Sequence, residues 1–294
     1  MFFTHLKFAR MMRKYRLPVT ILLLLAAIVV FNTKCKSSDG AENDDRPVYF
    51  VANKDGEAKG KFDGKQLIDV DIPLPLKGVP EQILVRKGYV VSYNKETRLP
   101  NWVAWRLTAE HVDGDAKRPN NAWHEDTDVP LRRATSSDYK GSGWTRGHLC
   151  PAGDNKWDGD AMYESFLYTN CCPQNGSLNN GTWNQIEIAC RRWAEKYGAV
   201  QIVSGPVFYN QEHATIGENK VVVPEAFFKV ILCLDDHHPK GIAFVCKNKD
   251  GNGKKDLYVN TIKQVERITG MTFFPHLPKN LTETVKNKAN IEEW

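Results

Sequence analysis

The sequence predicts an α+β fold, a mixed and mainly antiparallel central sheet with flanking helices. Three observations carry this. Short runs rich in β-branched and aromatic residues (GYVVSYN, NWVAWRLT, AVQIVSGPVF, VVVPEAFFKVILCL, GIAFVCKN) alternate with turn residues and read as strands. Two segments, Asn179 to Tyr197 and Asn260 to Gly270, instead place apolar residues at helical intervals, with Gly198 and Gly270 as stops. A length of 294 residues with 41% hydrophobic content is enough for one sizeable core.

The chain begins with Lys7, Arg10, Arg13, Lys14 and Arg16 ahead of an uncharged run from Leu17 to Phe31. A basic region followed by an apolar one is an export signal. Fifteen residues of helix reach about 22 Å, short of the ~30 Å hydrocarbon core, which favours a signal peptide over a stable span. Residues 1–31 are therefore expected to be a signal peptide or signal anchor that meets the membrane during export. The rest of the chain would lie outside the cytoplasm: secreted, periplasmic or membrane-tethered. No small-x-small cleavage site stands out in FNTKCKSS, and the residues before Cys35 fit a lipidation pattern poorly.

Residues 32–72 are polar and rich in Lys, Gly and Asp, the composition of a linker. From Pro73 the composition turns globular. GYVVSYN and NWVAWRLT form a strand pair around the turn residues of NKETRLP. His111 to Arg133, punctuated by Gly114, Pro119 and Pro130, reads as a surface loop carrying Arg118, Arg132 and Arg133. Phe166–Leu167–Tyr168 reads as a short buried strand. Asn179 would cap the helix that follows, a position asparagine favours. Phe273, Phe274 and Leu277 pack the last helix onto the sheet, and 281–294 form a charged tail. Residues 73–280 thus make up the folded domain.

A net charge of +5, from 40 basic and 35 acidic residues, is compatible with a polyanionic partner without requiring one. Seven cysteines, six without Cys35, would suit disulfides after an export signal. Cys233 and Cys246 flank the hairpin ILCLDDHHPKGIAFVC and are the first candidates for a pair. A zinc site built from Cys150, Cys171 and Cys172 is the weaker alternative, because no Cys-x-x-Cys spacing exists.

The stretch WTRGHLCPAGDN, followed by YTNCCPQNGSLNNGTWNQIE, concentrates polar chemistry at a helix start beside a strand end. Gly147 lets the backbone bend or approach closely just before His148. Singly, each residue has a plain structural explanation. His148 could be a satisfied core histidine, Asn179 a cap, Glu187 part of a solvated face, and Arg118 and Arg146 surface charges. As a set, with FLYTNCCPQ, IVSGPVF, VVVPEAFFKV and VERITGMTFFPHL around them, they resemble the DNA/RNA non-specific endonucleases. That family belongs to the ββα-metal (His-Me finger) superfamily and includes Serratia-type nucleases and endonuclease G.

The resemblance implies a ββα-metal motif in which His148 is the general base and Arg146 the arginine of the family's Asp-Arg-Gly-His signature. It further implies that Asn179 is the metal's only direct protein ligand and that Glu187 holds the metal's waters. Asn170 and Gln174 would line the substrate site, and Arg118 would contact phosphate. The implied cofactor is Mg²⁺, with Mn²⁺ or another divalent cation as substitute. The implied partners are DNA and RNA, bound through the phosphate backbone. One departure stands out: Thr145 occupies the position of the signature aspartate.

These residue types suit phosphodiester hydrolysis. Neutral imidazole can take a proton from water near neutral pH. Mg²⁺ keeps several of its waters, so a single amide oxygen is a sufficient protein ligand. Asn179 and Glu187, eight residues apart, lie about 12 Å apart along a helix axis, which suits a contact through water. Backbone recognition predicts low sequence selectivity and strong salt dependence. The competing readings are a nucleic-acid-binding protein of the same fold that has lost turnover, with Thr145 as its mark, and a surface protein that uses the domain only for interaction.

Overall fold

The hydrophobic runs pair into a seven-stranded antiparallel sheet. The computed structural model describes Phe50–Ala52, Ala58–Lys61 and residues 71–234, 238–249 and 253–294. Its strands are β1 (Phe50–Ala52), β2 (Ala58–Lys61), β3 (Gln82–Val85), β4 (Val90–Asn94), β5 (Leu99–Thr108), β6 (Thr145–His148) and β7 (Cys171–Gln174). They continue as β8 (Ala199–Val207), β9 (Thr215–Ile216), β10 (Val221–Val222), β11 (Ala226–Cys233), β12 (Lys240–Lys247) and β13 (Val259–Asn260). The main sheet runs β13-β12-β11-β8-β5-β4-β3. The chain divides into two units, Met1–Pro47 and Val48–Trp294. The first, which carries the expected signal segment, lies outside the described residues. Within the expected 32–72 linker, β1 and β2 form an antiparallel pair.

β11 shows why its sequence is apolar at successive positions rather than alternating. Phe227, Ile231 and Cys233 enter a core with Trp105, Trp183 and Ile186, whereas Ala226, Phe228, Val230 and Leu232 enter a second core with Val265, Phe273 and Leu277. A central strand covered on both faces must be apolar on both. Each fully buried large side chain contributes about 1.5–3 kcal/mol. The exception within this strand is Lys229, which is 1% exposed.

Three longer helices cover the sheet: α1 (Asn184–Tyr197), α2 (Ile262–Thr269) and α3 (Lys279–Asn287). α1 buries Ile186, Cys190, Trp193 and Ala194 and ends at Gly198, whose φ of 80° favours glycine. α2 is opened by a Thr261–Gln264 capping box and closed by left-handed Gly270. The charged tail expected over 281–294 is instead folded: α3 buries Val285 and Lys286, and the Trp294 ring lies 4.6 Å from that of Trp193. Its apolar residues are too few to show a period in the sequence. They suffice once Lys286 is satisfied by Glu266 and the Phe273 carbonyl.

Two further expectations are corrected. Phe166–Leu167–Tyr168 is buried but is no strand. Leu167 makes one parallel bridge to His124, and Tyr168–Asn170 then forms a 3-10 turn. The expected Cys233–Cys246 disulfide is excluded by register, because Cys233 faces Lys240 while Cys246 faces Phe227, six residues further along the hairpin. That offset corresponds to about 20 Å, against the 4.4–6.8 Å typical of disulfide-linked Cα atoms. Both cysteines are instead fully buried in the core, where a thiol serves as a small hydrophobe.

Candidate active site

β6 and β7 pair antiparallel, with Gly147 opposite Cys172 and His148 opposite Cys171. Gly147 is required here: a Cβ at this position would lie 2.2 Å from Gln174 Oε1 and 2.6 Å from Gln174 Cβ. After β7 the chain turns into a helix whose cap is Asn175, accepting from the amides of Ser177 (2.9 Å) and Leu178 (3.2 Å). Asn179 is therefore not the cap, as the sequence suggested, but sits one turn inside. It begins a wide π-type turn, Asn179–Trp183, kinked at Gly181 (φ −99°, ψ −108°), that leads into α1. Such wide turns recur at functional sites. Strand, strand and helix thus bring His148 and Asn179 to one place.

That place is a cavity of about 350 Å³ lined by Arg118, Arg146, His148 and Asn179, together with Trp123, Tyr139, Trp144 and Thr145. An adjoining cavity of about 440 Å³ shares Arg118, Trp123 and Arg146 and adds Asn121 and Ser136. The Arg118 guanidinium lies 4.9 Å over Phe166, and that of Arg146 lies 6.0 Å over Trp123. Neither forms an ion pair with a carboxylate among the described residues, so both charges remain available to an anion.

His148 is wedged between the Trp123 ring at 4.4 Å and the Phe166 edge at 5.0 Å. Burial pushes its pKa down to about 3, with Arg118 and Lys229 adding to the effect. The imidazole is thus neutral across the physiological range. Its Nε2 is buried without a hydrogen-bond partner. Asn179 Nδ2 donates to Thr145 Oγ1 (3.2 Å), and Thr145 Oγ1 donates to the Gln174 carbonyl (2.7 Å). With its amino end held, the Asn179 carboxamide leaves its oxygen for another partner.

The remaining expected residues lie elsewhere. Asn170 is fully buried and spends its amide on backbone: it accepts from Cys150 N and donates to the carbonyls of Cys150 and Ser165. It braces the chain leaving His148, a role the sequence could not anticipate because bracing and substrate binding use the same amide. Gln174 is 1% exposed and is packed against Gly147, with neither amide atom hydrogen-bonded. Glu187 does not line the cavity. Its charged neighbours are Lys229, Asp154 and Arg191, and burial raises its pKa to about 7. The aromatic walls Trp123, Tyr139 and Trp144, and Lys229 beneath, carry no motif signal that a single sequence would reveal.

Among the described residues no three His, Cys, Asp or Glu side chains converge on a metal position. The donor set that exists is one amide oxygen beside an imidazole and two guanidiniums. This fits a hard cation that keeps most of its water. Asn179 would hold it directly, and Glu187 could reach it through water.

A family profile described as DNA/RNA non-specific endonuclease matches residues 73–280. The chain belongs to this family. Human mitochondrial nuclease EXOG is 32% identical over 258 residues, covering 80% of this chain and 69% of the relative. The mouse protein is 36% identical, and the chain spans 60% of its length. Bovine mitochondrial endonuclease G is 34% identical, covering 67% of this chain and 70% of the relative. A solved EndoG/EndoGI complex superposes with a TM-score of 0.64 at 27% identity, covering 76% of this chain and 95% of that one.

These relatives overturn the expected export. EXOG, endonuclease G and the Schizosaccharomyces pombe Nuclease 1 are all described as mitochondrial, which points to that compartment rather than to secretion. The signal was ambiguous for a physical reason. A basic leader with no acidic residue before Asp39 is a feature of organelle-directed presequences as well as of export signals.

Proposed function

We propose that this chain hydrolyses phosphodiester bonds in DNA and RNA without sequence selectivity, using a divalent cation, Mg²⁺ or in its place Mn²⁺. The observation that carries this reading is the shared cavity. The cavity is lined by His148, by Asn179 with its carboxamide oriented, and by two guanidiniums that form no ion pair with a carboxylate among the described residues.

Arg118 and Arg146 seat the phosphate through forked donors. The adjoining cavity, which shares these arginines, leaves room for the neighbouring nucleotide. The His148 imidazole accepts a proton from the attacking water, while Trp123 and Phe166 hold the ring in place and exclude bulk solvent. Asn179 Oδ1 would bind the cation, and Glu187 would accept hydrogen bonds from its waters. When bound, the cation supplies charge neutralisation at the phosphoryl oxygens and at the departing 3′ oxygen. Because the arginines address the backbone, bases contribute little and both nucleic acids are accepted.

The test is plasmid and RNA cleavage by wild type and His148→Ala, with and without chelator. The reading requires nicking that is lost in the variant and on chelation. Cleavage by the variant at the wild-type rate would refute the base assignment. The competing reading, a binding protein without turnover, rested on Thr145. The hydroxyl at that position still restrains the amide of Asn179, which favours the enzyme.

A further inference from the structure

Lys229 lies at the centre of β11, 1% exposed. Its ammonium donates to the Leu149 carbonyl at 3.1 Å and sits 4.8 Å from the centroids of both Trp105 and Trp183. It forms no ion pair among the described residues. A buried cation whose direct contacts are a carbonyl and two ring faces, with the Glu187 and Asp154 carboxylates acting on it without an ion pair, is expensive. The cost calls for a use.

We propose that Lys229 is a positioning residue of the hydrolytic site, tying the backbone immediately after His148 to the middle of the sheet and fixing one positive charge within reach of both His148 and Glu187. The inference rests on the proposed hydrolysis and deepens it. The tie acts on geometry: Leu149 follows the base directly, and its amide is held from the other side by the Asn170 carbonyl at 3.0 Å. The segment that carries the imidazole is therefore clamped on both sides.

The charge acts on protonation. His148 is faced by Arg118 from the loop, by Arg146 from its own strand and by Lys229 from β11. Glu187 is faced by Arg191 on α1, by Asp154 and by Lys229. Asp154 is already committed, accepting from Trp105 Nε1 (3.1 Å) and Arg191 (3.0 Å), so Lys229 is the cation left to oppose the burial of Glu187 alongside Arg191. A positive charge disfavours imidazolium and favours carboxylate. The same ammonium therefore adds to burial in favouring neutral imidazole and opposes burial in favouring the Glu187 carboxylate. Removing it raises both pKa values; His148, pushed down to about 3, stays neutral above pH 5, so the acid limb that moves to higher pH in the assayed range is that of Glu187, at about 7.

The experiment compares wild type, Lys229→Met and Lys229→Arg in plasmid cleavage from pH 5 to 9, with melting temperatures measured alongside. In Lys229→Met the acid limb of kcat/KM is expected to move up by about one unit, with kcat falling more than KM rises, while Lys229→Arg keeps the limb in place. An unmoved limb in a folded Lys229→Met protein, or an activity loss that is uniform in pH and matches the unfolded fraction, overturns the proposal. Should Lys229→Met not fold, Lys229→Gln against Lys229→Arg decides by the same limb. A wild type inactive with every divalent cation would instead refute the hydrolytic reading, leaving His148 titration by NMR, with and without the lysine charge, to judge this one.

Discussion

Thr145 Oγ1 accepts a 3.2 Å hydrogen bond from Asn179 Nδ2 and passes its own proton to the Gln174 carbonyl at 2.7 Å. The Thr145 hydroxyl thus holds the amino end of the Asn179 amide and leaves its oxygen without that partner. Thr145→Val keeps the shape and removes both bonds. Mg²⁺ or Mn²⁺ binding, measured by calorimetry, should weaken about 10-fold, the usual lower cost of losing a group that orients a metal ligand. Thr145→Ser should restore it, and unchanged affinity in the valine variant would dismiss the orienting role.

His148→Ala should lower kcat by about 10²–10⁴-fold, the range for loss of a general base. Because the ring's Nε2 has no protein partner, the variant forfeits packing against Trp123 and Phe166 but no hydrogen bond of that atom. Circular dichroism should show the wild-type fold. Turnover within a few-fold of wild type would exclude His148 as base.

Glu187 couples stability to pH with a definite sign. Its folded-state pKa, about 7, is raised above the ordinary 4.5 by burial, so its contribution is most favourable below the ordinary value and is lost as pH rises through 7. Glu187→Gln, neutral at every pH, should therefore exceed wild type in stability above pH 7 by about 1–2 kcal/mol, and gain little at pH 4. Urea denaturation at the two pH values measures this, and an equal effect at both would contradict it. Activity should fall in the same variant.

Asn170→Ala separates bracing from binding. Three hydrogen bonds of 2.8–2.9 Å to buried backbone disappear, which should cost about 2–3 kcal/mol. The protein that remains folded should keep its KM for DNA. A KM increase without a loss of melting temperature would return Asn170 to the substrate surface.

Chelation should abolish cleavage and leave the melting temperature nearly unchanged, because among the described residues no multi-ligand cage ties a metal to the fold. A drop of many degrees on chelation would mean a structural ion.

Much of the fold was legible because one-dimensional patterns report it. The run at Ala226–Cys233, apolar except at Lys229, marks a strand buried on both faces, and Gly198 and Gly270 end helices where positive φ is needed. The sequence singled out His148, Asn179, Arg118 and Arg146 through their order and spacing, and the fold brings the four to one cavity. The tail containing Val285 and Trp294 was not, since its few apolar residues have a period only against the surface they meet. Nor was the cap, because Asn175 and Asn179 are the same residue one turn apart, and only hydrogen-bond geometry distinguishes them.

The sequence by itself determined the elements, the family and the types of side chain available for chemistry, because local propensity and motif order are written in neighbouring residues. Tertiary structure alone decided that Asn170 is a brace, that Cys233 and Cys246 sit too far apart to join, that Thr145 holds Asn179, and that Lys229 donates to the Leu149 carbonyl. Those facts depend on register and burial. Both are set by contacts between segments far apart in the chain, as with Lys229 and Leu149, where no local pattern records the meeting.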